Sequence, residues 1–284
     1  MSHLHAFYDH LYISPHFDDV ALSCGGQVFR HTAVGDTVLV VTVAAEEPSG
    51  PLSETAESIH RRWADSLGET PPAFVARRRA EDREAFALLR ADVLHLHFLD
   101  GIYRPGPDGV LLYPGPVDMF GTVNPADEGF LDALVKAFAA LPEAGAYYLP
   151  LGVGEHVDHQ LARQAGERAF EDVGYYEDYP YTMKPGALEV VLPPVERGNW
   201  TAETTWLTET AMAAKFAAIG EYRSQFSSFF IDLADLEAKV RAEGSRVTAE
   251  AQQDGATPPD WACGAERTWR KRSAFTLSSF EGSD

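Results

Sequence analysis

A run of mostly β-branched, apolar residues at Thr37–Val43 constrains the fold more than any other stretch of this chain. The run is short and does not alternate with polar residues, so it predicts a strand that is buried on both faces of a parallel sheet. Strand-like and helix-like segments alternate through residue 170 and predict an α/β fold with helices on both faces. The other predicted strands are Leu11–Ile13, Asp92–Leu99 and Ala146–Leu151, and the predicted helices are Val20–His31, Pro72–Arg90, Glu128–Leu141 and His156–Phe170.

The organisation of the chain is predicted as one domain over residues 1–284, because no linker divides it. Residues 1–172 would form the core sheet, and residues 173–284 a C-terminal α/β extension that completes the fold. Further strands are predicted at Leu188–Leu192 and Ser273–Leu277, and Gly244–Asp260 is the stretch with the weakest pattern. Two long segments, 44–72 and 100–127, carry proline and glycine and are predicted as loops, the first with a short helix near Glu57–Ser66.

The charge of the chain limits its partners. Lys and Arg number 23 and Asp and Glu 43, giving a net charge of −20. This balance argues against nucleic acid or an anionic membrane as the main partner.

We expect no membrane span, because no apolar run is long enough, and the first residues lack a signal-peptide pattern. The two cysteines fit a reducing compartment, so a soluble cytoplasmic protein is expected. Homo-oligomer formation is left open.

The first candidate site is His16-Phe17-Asp18-Asp19, which follows the first predicted strand. The second is His156-Val157-Asp158-His159, which follows the strand at Ala146–Leu151 and opens a helix. Carboxyl ends of parallel strands lie at one edge of a sheet, so the two clusters can converge there.

A catalytic zinc site needs three protein ligands and an open position for water. His16, Asp19 and His159 could be the ligands, leaving Asp18 and His156 as acid or base groups. Alone, either cluster also fits a helix cap, in which case the chain would be a non-catalytic sugar- or nucleotide-binding domain.

Other types of site fit the sequence poorly. No Gly-x-Gly-x-x-Gly follows the first strand, and there is no Gly-Lys-Ser/Thr phosphate loop. No Gly-x-Ser-x-Gly nucleophile elbow is present either. The sequence therefore favours a metal site over a nucleotide-binding or serine-nucleophile site.

The paired motifs resemble those of the PIG-L/LmbE-type zinc-dependent N-acetylglucosaminyl deacetylases. That family's Pro-His-Pro-Asp-Asp-Glu motif stands here as Pro15-His16-Phe17-Asp18-Asp19-Val20, and its His-Pro-Asp-His motif as residues 156–159. The resemblance extends from about residue 11 to residue 269, with weaker similarity around Arg78, Asp178 and Lys215.

The resemblance implies a Rossmann-like fold and a zinc-dependent hydrolase that removes an acetyl group from an N-acetylglucosamine-type glycoconjugate. It implies His16, Asp19 and His159 as zinc ligands and Asp18 as general base. Protonated His156 would be the general acid or oxyanion stabiliser, oriented by Asp158.

Phe17 and Val157 replace two prolines of the family motifs, which changes local rigidity but no ligand. Two further departures from the family pattern stand out. Val20 replaces a glutamate, which puts a contact around the metal ligands in doubt. Gly154 stands where some members have a tyrosine that helps to polarise the substrate carbonyl, so a tyrosine from elsewhere, or His156 alone, would have to serve.

The substrate is less constrained than the reaction. The two long loops would line the site, and Arg78, Tyr103 and Arg104 are candidates to contact a sugar or its aglycone. For each of these residues, a surface ion pair or loop packing is the simpler explanation. A small soluble glycoconjugate is favoured over a lipid one. An amidase acting on a larger, thiol-conjugate amide is an alternative, and iron is an alternative to zinc.

Overall fold

A seven-stranded sheet forms the centre of the computed structural model, which describes residues 4–49, 52–63 and 69–272. Within these ranges the strand order is β3-β2-β1-β4-β5-β7-β6. Strands β1 to β5 are parallel to one another, and β7 pairs antiparallel with both β5 and β6. The strands are β1 Phe7–Ser14, β2 Val38–Thr42, β3 Asp92–His95, β4 Glu143–Pro150, β5 Val173–Tyr176, β6 Trp200–Leu207 and β7 Gly264–Lys271.

Helices cover both faces of the sheet. They are α1 Asp19–Val34, α2 Glu54–Trp63, α3 Pro71–Leu88, α4 Glu128–Ala139, α5 Val157–Ala169, α6 Ala187–Val191, α7 Glu209–Gly220, α8 Arg223–Phe229 and α9 Leu233–Gln253. Leu39 and Val41 of β2 pack against the α4 and α5 side, while Val38 and Val40 pack against α1 and α3. Successive strand residues point to opposite faces, so both halves of an apolar strand are buried. The predicted α/β fold with helices on both faces is confirmed.

The order of the strands creates a crevice between β1 and β4. From β1 the chain proceeds outward to β2 and β3, and it then returns to the other side of β1 to form β4 and β5. The loops that leave the carboxyl ends of β1 and β4 therefore diverge from a shared edge, which is where open α/β sheets bind ligands.

The C-terminal part contains the main differences from prediction. The strand predicted at Leu188–Leu192 is wrong, because this segment forms α6. Leu188 and Leu192 are buried while Glu189 and Val190 between them are exposed, which is the spacing of a helical turn and not of a strand. The predicted strand at Ser273–Leu277 lies outside the described residues.

The weakly patterned stretch that begins at Gly244 is helical as far as Gln253, because α9 runs through it. At Gly244 the helix lies against Gly264 of β7, and a Cβ on Gly244 would be 3.4 Å from the Gly264 Cα. Across the described ranges, no helix combines the length and the apolar character needed to cross a bilayer.

A histidine pair joins α1 to β1 at the end of the sheet opposite the crevice. His31 stacks on His10 with ring centroids 3.6 Å apart, and Asp36 Oδ2 lies 3.2 Å from His10 Nε2 and 3.7 Å from His31 Nδ1. Burial is the main cause that lowers the pKa of His31; His10 and Arg30 add to the fall and Asp36 opposes it, so that the pKa is about 4.

We expect the stability of the protein to fall as the pH is lowered from about 6.5 to about 4. In this window the unfolded chain protonates His31 while the folded chain keeps it neutral, so the unfolded state binds more protons. His31→Gln should reduce the slope of unfolding free energy against pH, by at most about 1.4 kcal/mol per pH unit. Urea unfolding at stepped pH measures this slope. His97→Gln, at an exposed histidine, is the control, and equal slopes for wild type and His31→Gln would contradict the assignment.

Candidate metal centre and active site

The two histidine–aspartate clusters meet at the crevice between β1 and β4. His16 and Asp19 lie in the turn that joins β1 to α1, and His159 lies in the first turn of α5. Asp19 Oδ2 is 3.2 Å from His16 Nδ1 and 3.3 Å from His159 Nε2. The structure thus brings together the three side chains that the sequence suggested as ligands.

His159 is held in place by a carboxylate that sequence reasoning did not single out. Its Nδ1 is 2.7 Å from Asp178 Oδ1, and Asp178 Oδ2 accepts hydrogen bonds of 2.8 Å from the backbone N–H groups of Gly152 and Val153. Asp178 comes two residues after β5, so its position after a parallel strand was the available signal. Such a carboxylate fixes the histidine tautomer, leaving Nε2 with a lone pair.

The donor set fits a divalent metal ion. His159 Nε2 is buried and has no hydrogen-bond partner, although the Asp19 carboxylate lies 3.3 Å away. Burial would lower the pKa of His159, but Asp19 and Asp178 raise it to about 9, so the arrangement favours a positive charge between these atoms. Ligand atoms around a tetrahedral zinc ion lie roughly 3.4 Å apart. The observed separations from Asp19 Oδ2 are close to that value.

Asp18 is buried beside this trio and lines the adjoining cavity. Its backbone has φ 93°, a conformation that turns the chain between β1 and α1. Burial raises the pKa of Asp18 well above its usual range, the Asp19 carboxylate adds to the rise, and the Arg78 guanidinium opposes it. Gln225 lies between Asp18 and Arg78, and the amide orientation that satisfies both has its nitrogen donating to Asp18 and its oxygen accepting from Arg78.

His156 precedes α5 and lines the same cavity. Its ring centroid is 4.8 Å from that of His16 and 5.3 Å from that of His159. Burial lowers the pKa of His156 well below its usual value, and His16 lowers it further. The structure therefore favours a neutral imidazole over the protonated one expected from the resemblance. Because Nδ1 accepts the backbone N–H of Asp158 at 3.3 Å, the proton of the neutral ring belongs on Nε2.

The Asp158 carboxylate contacts His16 and not the His156 ring that it was expected to orient. Asp158 Oδ2 is 3.0 Å from His16 Nε2 and accepts the Gly101 N–H at 2.9 Å, while Oδ1 accepts from Arg104 at 2.7 Å. Its influence on His156 comes through the backbone N–H and through its charge. Asp100, a residue that the sequence reasoning missed, places Oδ2 3.9 Å from His16 Nε2.

Two of the three candidate substrate contacts do not line the cavity. Arg104 is buried and donates to both oxygens of Asp127, at 2.7 and 2.9 Å, as well as to Asp158. Tyr103 is also buried, and its hydroxyl is hydrogen-bonded to His60. The structure gives Arg104 a positioning role, because its charge is neutralised by two carboxylates and is linked through Asp158 to His16.

Arg78, by contrast, does line the cavity. It is buried, with its guanidinium carbon 5.0 Å from the ring centroid of Phe17 and 5.3 Å from that of Trp63. Aromatic faces on a guanidinium stabilise the charge and hold its plane. Arg78 therefore presents a fixed set of donors beside Asp18.

The cavity has a volume of about 210 Å³ and opens at the metal-ligand cluster. Its lining includes the polar side chains of Asp18, Asp19 and His156 together with a set of apolar side chains. The two predicted loop regions supply much of the apolar lining, with Ile59, Trp63, Ile102, Pro116, Met119 and Phe120. The first of these regions contains α2, which begins earlier than predicted, at Glu54.

Val20 and Gly154, which replace a glutamate and a tyrosine of the family motifs, lie in different surroundings. Val20 is fully buried among the apolar residues beneath α1, so its side chain extends the core. Gly154 has φ +88° and lies against the ring of Tyr181, which lines the cavity. Tyr181 was not singled out as a site residue, and only its sequence proximity to Asp178 hinted at it.

A family comparison matches residues 11–170, which include both motifs, to the family described as PIG-L, GlcNAc-PI de-N-acetylase. The chain belongs to this family. The family membership expected from the paired motifs is therefore confirmed. The matched segment contains β1 to β4 and α5, the elements that bear His16, Asp19 and His159.

Three of the similar proteins are named as deacetylases. A 2'-N-acetylparomamine deacetylase from Niallia circulans is 28% identical over 255 residues, covering 85% of this chain and 88% of its own. A teicoplanin deacetylase, solved in a zinc-inhibited form, has a TM-score of 0.73 and 28% identity over 94% of this chain and 99% of its own. A deacetylase of the A40926 pseudoaglycone has a TM-score of 0.68 and 27% identity, with the same coverage.

Replacing Asp178 should weaken metal binding without unfolding the site. We expect Asp178→Asn to bind Zn²⁺ about 10- to 100-fold more weakly, because a neutral amide holds the His159 ring less firmly and makes its Nε2 a poorer donor. Competition with a chromogenic chelator measures the affinity. Asp172→Asn, at an exposed carboxylate, is the matched control, and unchanged zinc affinity in Asp178→Asn would show that this carboxylate does not support the ligand.

Proposed function

We propose that this protein is a metal-dependent hydrolase that removes the N-acetyl group from an acetylated amino sugar, giving acetate and a free amine. The observation that carries the proposal is that two adjacent carboxylates, Asp18 and Asp19, have different surroundings. Asp19 lies between His16 and His159, while Asp18 faces the cavity beside them. One carboxylate is placed to bind a metal ion, and the other is free to act on a water molecule.

His16, Asp19 and His159 would hold the metal, and zinc is the ion we propose. Two imidazoles and a carboxylate suit zinc, and they also suit iron. The bound ion would polarise the amide carbonyl and lower the pKa of a water molecule. The buried contacts of Asp178 with His159, and of Asp158 with His16, keep both rings oriented.

Asp18 acts as the general base in this proposal. Its carboxylate faces the cavity, and burial beside Asp19 gives it a higher proton affinity than an exposed aspartate has. A general base works best when its pKa approaches the operating pH. Asp18 would accept the proton of the attacking water and keep it within the site.

His156 acts as a hydrogen-bond donor in this proposal. With Nδ1 occupied by the Asp158 N–H, its Nε2 proton is available to the oxygen of the substrate amide. The proton that Asp18 accepts from the attacking water would then pass to the leaving amine, while the C–N bond breaks and His156 keeps its own proton. Phe120 lies edge-on to the ring, with centroids 5.2 Å apart, and limits its rotation.

The substrate class follows from the cavity and from the names of similar proteins. The similar deacetylases are named for 2'-N-acetylparomamine, for teicoplanin and for the A40926 pseudoaglycone, and these names support an N-acetylated substrate. Arg78 would donate to sugar hydroxyls, and the apolar wall formed by Trp63, Met119 and Phe120 would pack against the C–H face of the ring or the aglycone. We propose a small soluble glycoconjugate and a cytoplasmic location, where free Cys24 and Cys263 would stay reduced.

An acetate-release assay tests the function. The metal-loaded protein is incubated with N-acetylglucosamine glycosides, N-acetylated aminoglycosides and thiol-conjugate amides, each with and without a chelator. We expect release of acetate from acetylated amino sugars, loss on chelation and recovery on adding Zn²⁺. Cleavage restricted to the larger amides would favour the amidase alternative. A protein that binds no metal and cleaves no substrate would favour the non-catalytic one.

Removing Asp18 should abolish turnover and leave metal binding intact. We expect Asp18→Ala to lower kcat by about 100- to 10,000-fold, the range for loss of a general base. Metal analysis should still find one ion per chain, because Asp18 is not in the ligand trio. Asp260→Ala, at an exposed site, is the control. An Asp18→Ala protein that retains most of its activity would show that another group takes the proton.

A further inference from the structure

Tyr181 lines the cavity together with His16, Asp19 and His156. It begins a short 3-10 turn, Tyr181–Met183, three residues after Asp178. Its ring centroid is 5.7 Å from that of His159 and 6.0 Å from that of Phe120. The aromatic ring is thus wedged between a candidate metal ligand and the apolar wall of the cavity.

The ring of Tyr181 occupies the space above Gly154. A Cβ on residue 154 would be 2.5 Å from Tyr181 Cγ and 2.7 Å from Cδ1, so no side chain at residue 154 can coexist with the ring in this position. Residue 154 is the position of the tyrosine that the second motif lacks in this chain. Position 154 and Tyr181 therefore compete for one location at the edge of the site, and in this protein Tyr181 fills it.

The hydroxyl of Tyr181 is available to a ligand. Two buried tyrosines use their hydroxyls within the protein: Tyr176 donates to the Ile13 carbonyl at 2.7 Å, and Tyr222 donates to Asp82 at 2.8 Å. Among the described residues, Tyr181 has ring contacts but no hydrogen bond from its hydroxyl. A phenolic O–H that lines a cavity without a protein acceptor can donate to a bound molecule.

We propose that the Tyr181 hydroxyl donates a hydrogen bond to the carbonyl oxygen of the substrate amide and stabilises the oxyanion that forms there. In that step the water oxygen bonds to the carbonyl carbon, the water proton passes to Asp18, and the π electron pair moves onto the carbonyl oxygen. Tyr181 keeps its proton throughout, so it acts as an electrostatic donor and not as an acid. This inference rests on the proposed function.

The arrangement supplies two donors from different elements. His156 approaches from the start of α5, and Tyr181 approaches from the segment that follows β5. Phe120 contacts both rings. The Thr182 N–H donates to the Asp178 carbonyl at 3.2 Å, so the segment that fixes His159 through the Asp178 carboxylate also fixes Tyr181.

Removing only the hydroxyl tests this role. Tyr181→Phe keeps the ring that packs over Gly154, so the fold should be retained. We expect kcat/KM for an acetylated amino sugar to fall about 100- to 1,000-fold, as is typical when one oxyanion donor is lost. KM and zinc content should stay within about threefold of wild type, because a donor to the oxyanion acts mainly in the transition state. Tyr147→Phe removes a hydroxyl that accepts the Ala144 N–H away from the cavity, and it is the matched control.

A binding measurement separates this role from simple packing. A methylphosphonamidate of glucosamine carries a tetrahedral phosphoryl group in place of the acetamide, and its affinity should fall in Tyr181→Phe in proportion to kcat/KM. A Tyr181→Phe enzyme with wild-type kcat/KM and wild-type affinity for the phosphonamidate would overturn this inference alone. A wild-type enzyme that releases acetate from no amino sugar would overturn the proposed function and this inference with it.

A second pair of variants tests the position of the ring. Gly154→Ala places a methyl group against Tyr181, whereas Gly109→Ala introduces the same substitution at a similar φ of +80°, at an exposed glycine with nothing within 4 Å. Gly154→Ala should therefore reduce kcat/KM well beyond any effect of Gly109→Ala. Equal effects of the two substitutions would show that displacing Tyr181 has no consequence for turnover.

Discussion

The structure depends on a buried carboxylate that must be neutralised. Asp19 lies between His16 and His159, which come from segments that follow two neighbouring parallel strands. An isolated carboxylate in such an environment is costly, so the site requires positive charge at the point where the two imidazoles face it. A divalent ion bound at that point would meet this requirement.

The groups around this centre form a chain of buried charges. Asp127 holds Arg104, Arg104 holds Asp158, and Asp158 contacts His16, while Asp178 independently holds His159. Arginine forms such pairs with fixed, forked geometry. The rings of both histidines are therefore oriented before a metal or a substrate arrives, and the energetic cost of ordering them is met during folding.

The catalytic wall of the cavity can be assembled from different parts of a chain. Gly154 leaves its own position empty, and Tyr181, from a separate segment, stands there. Val20 likewise extends the core where a glutamate is usual in the family. The proposed chemistry requires a hydrogen-bond donor or a charge at a given location relative to the metal. Different segments of the chain that pack at that location can supply the group.

The sequence by itself determined the alternation of strands and helices and the placement of His16, Asp19 and His159 near strand ends, because both are properties of local pattern. It could not determine that Asp158 contacts His16, that Arg104 is neutralised inside the protein, or that Asp178 and Tyr181 join the site. It also misassigned Leu188–Leu192 as a strand. These features depend on which segments become neighbours when the sheet forms, and β-branched residues or isolated acids carry no information about partners distant in the chain.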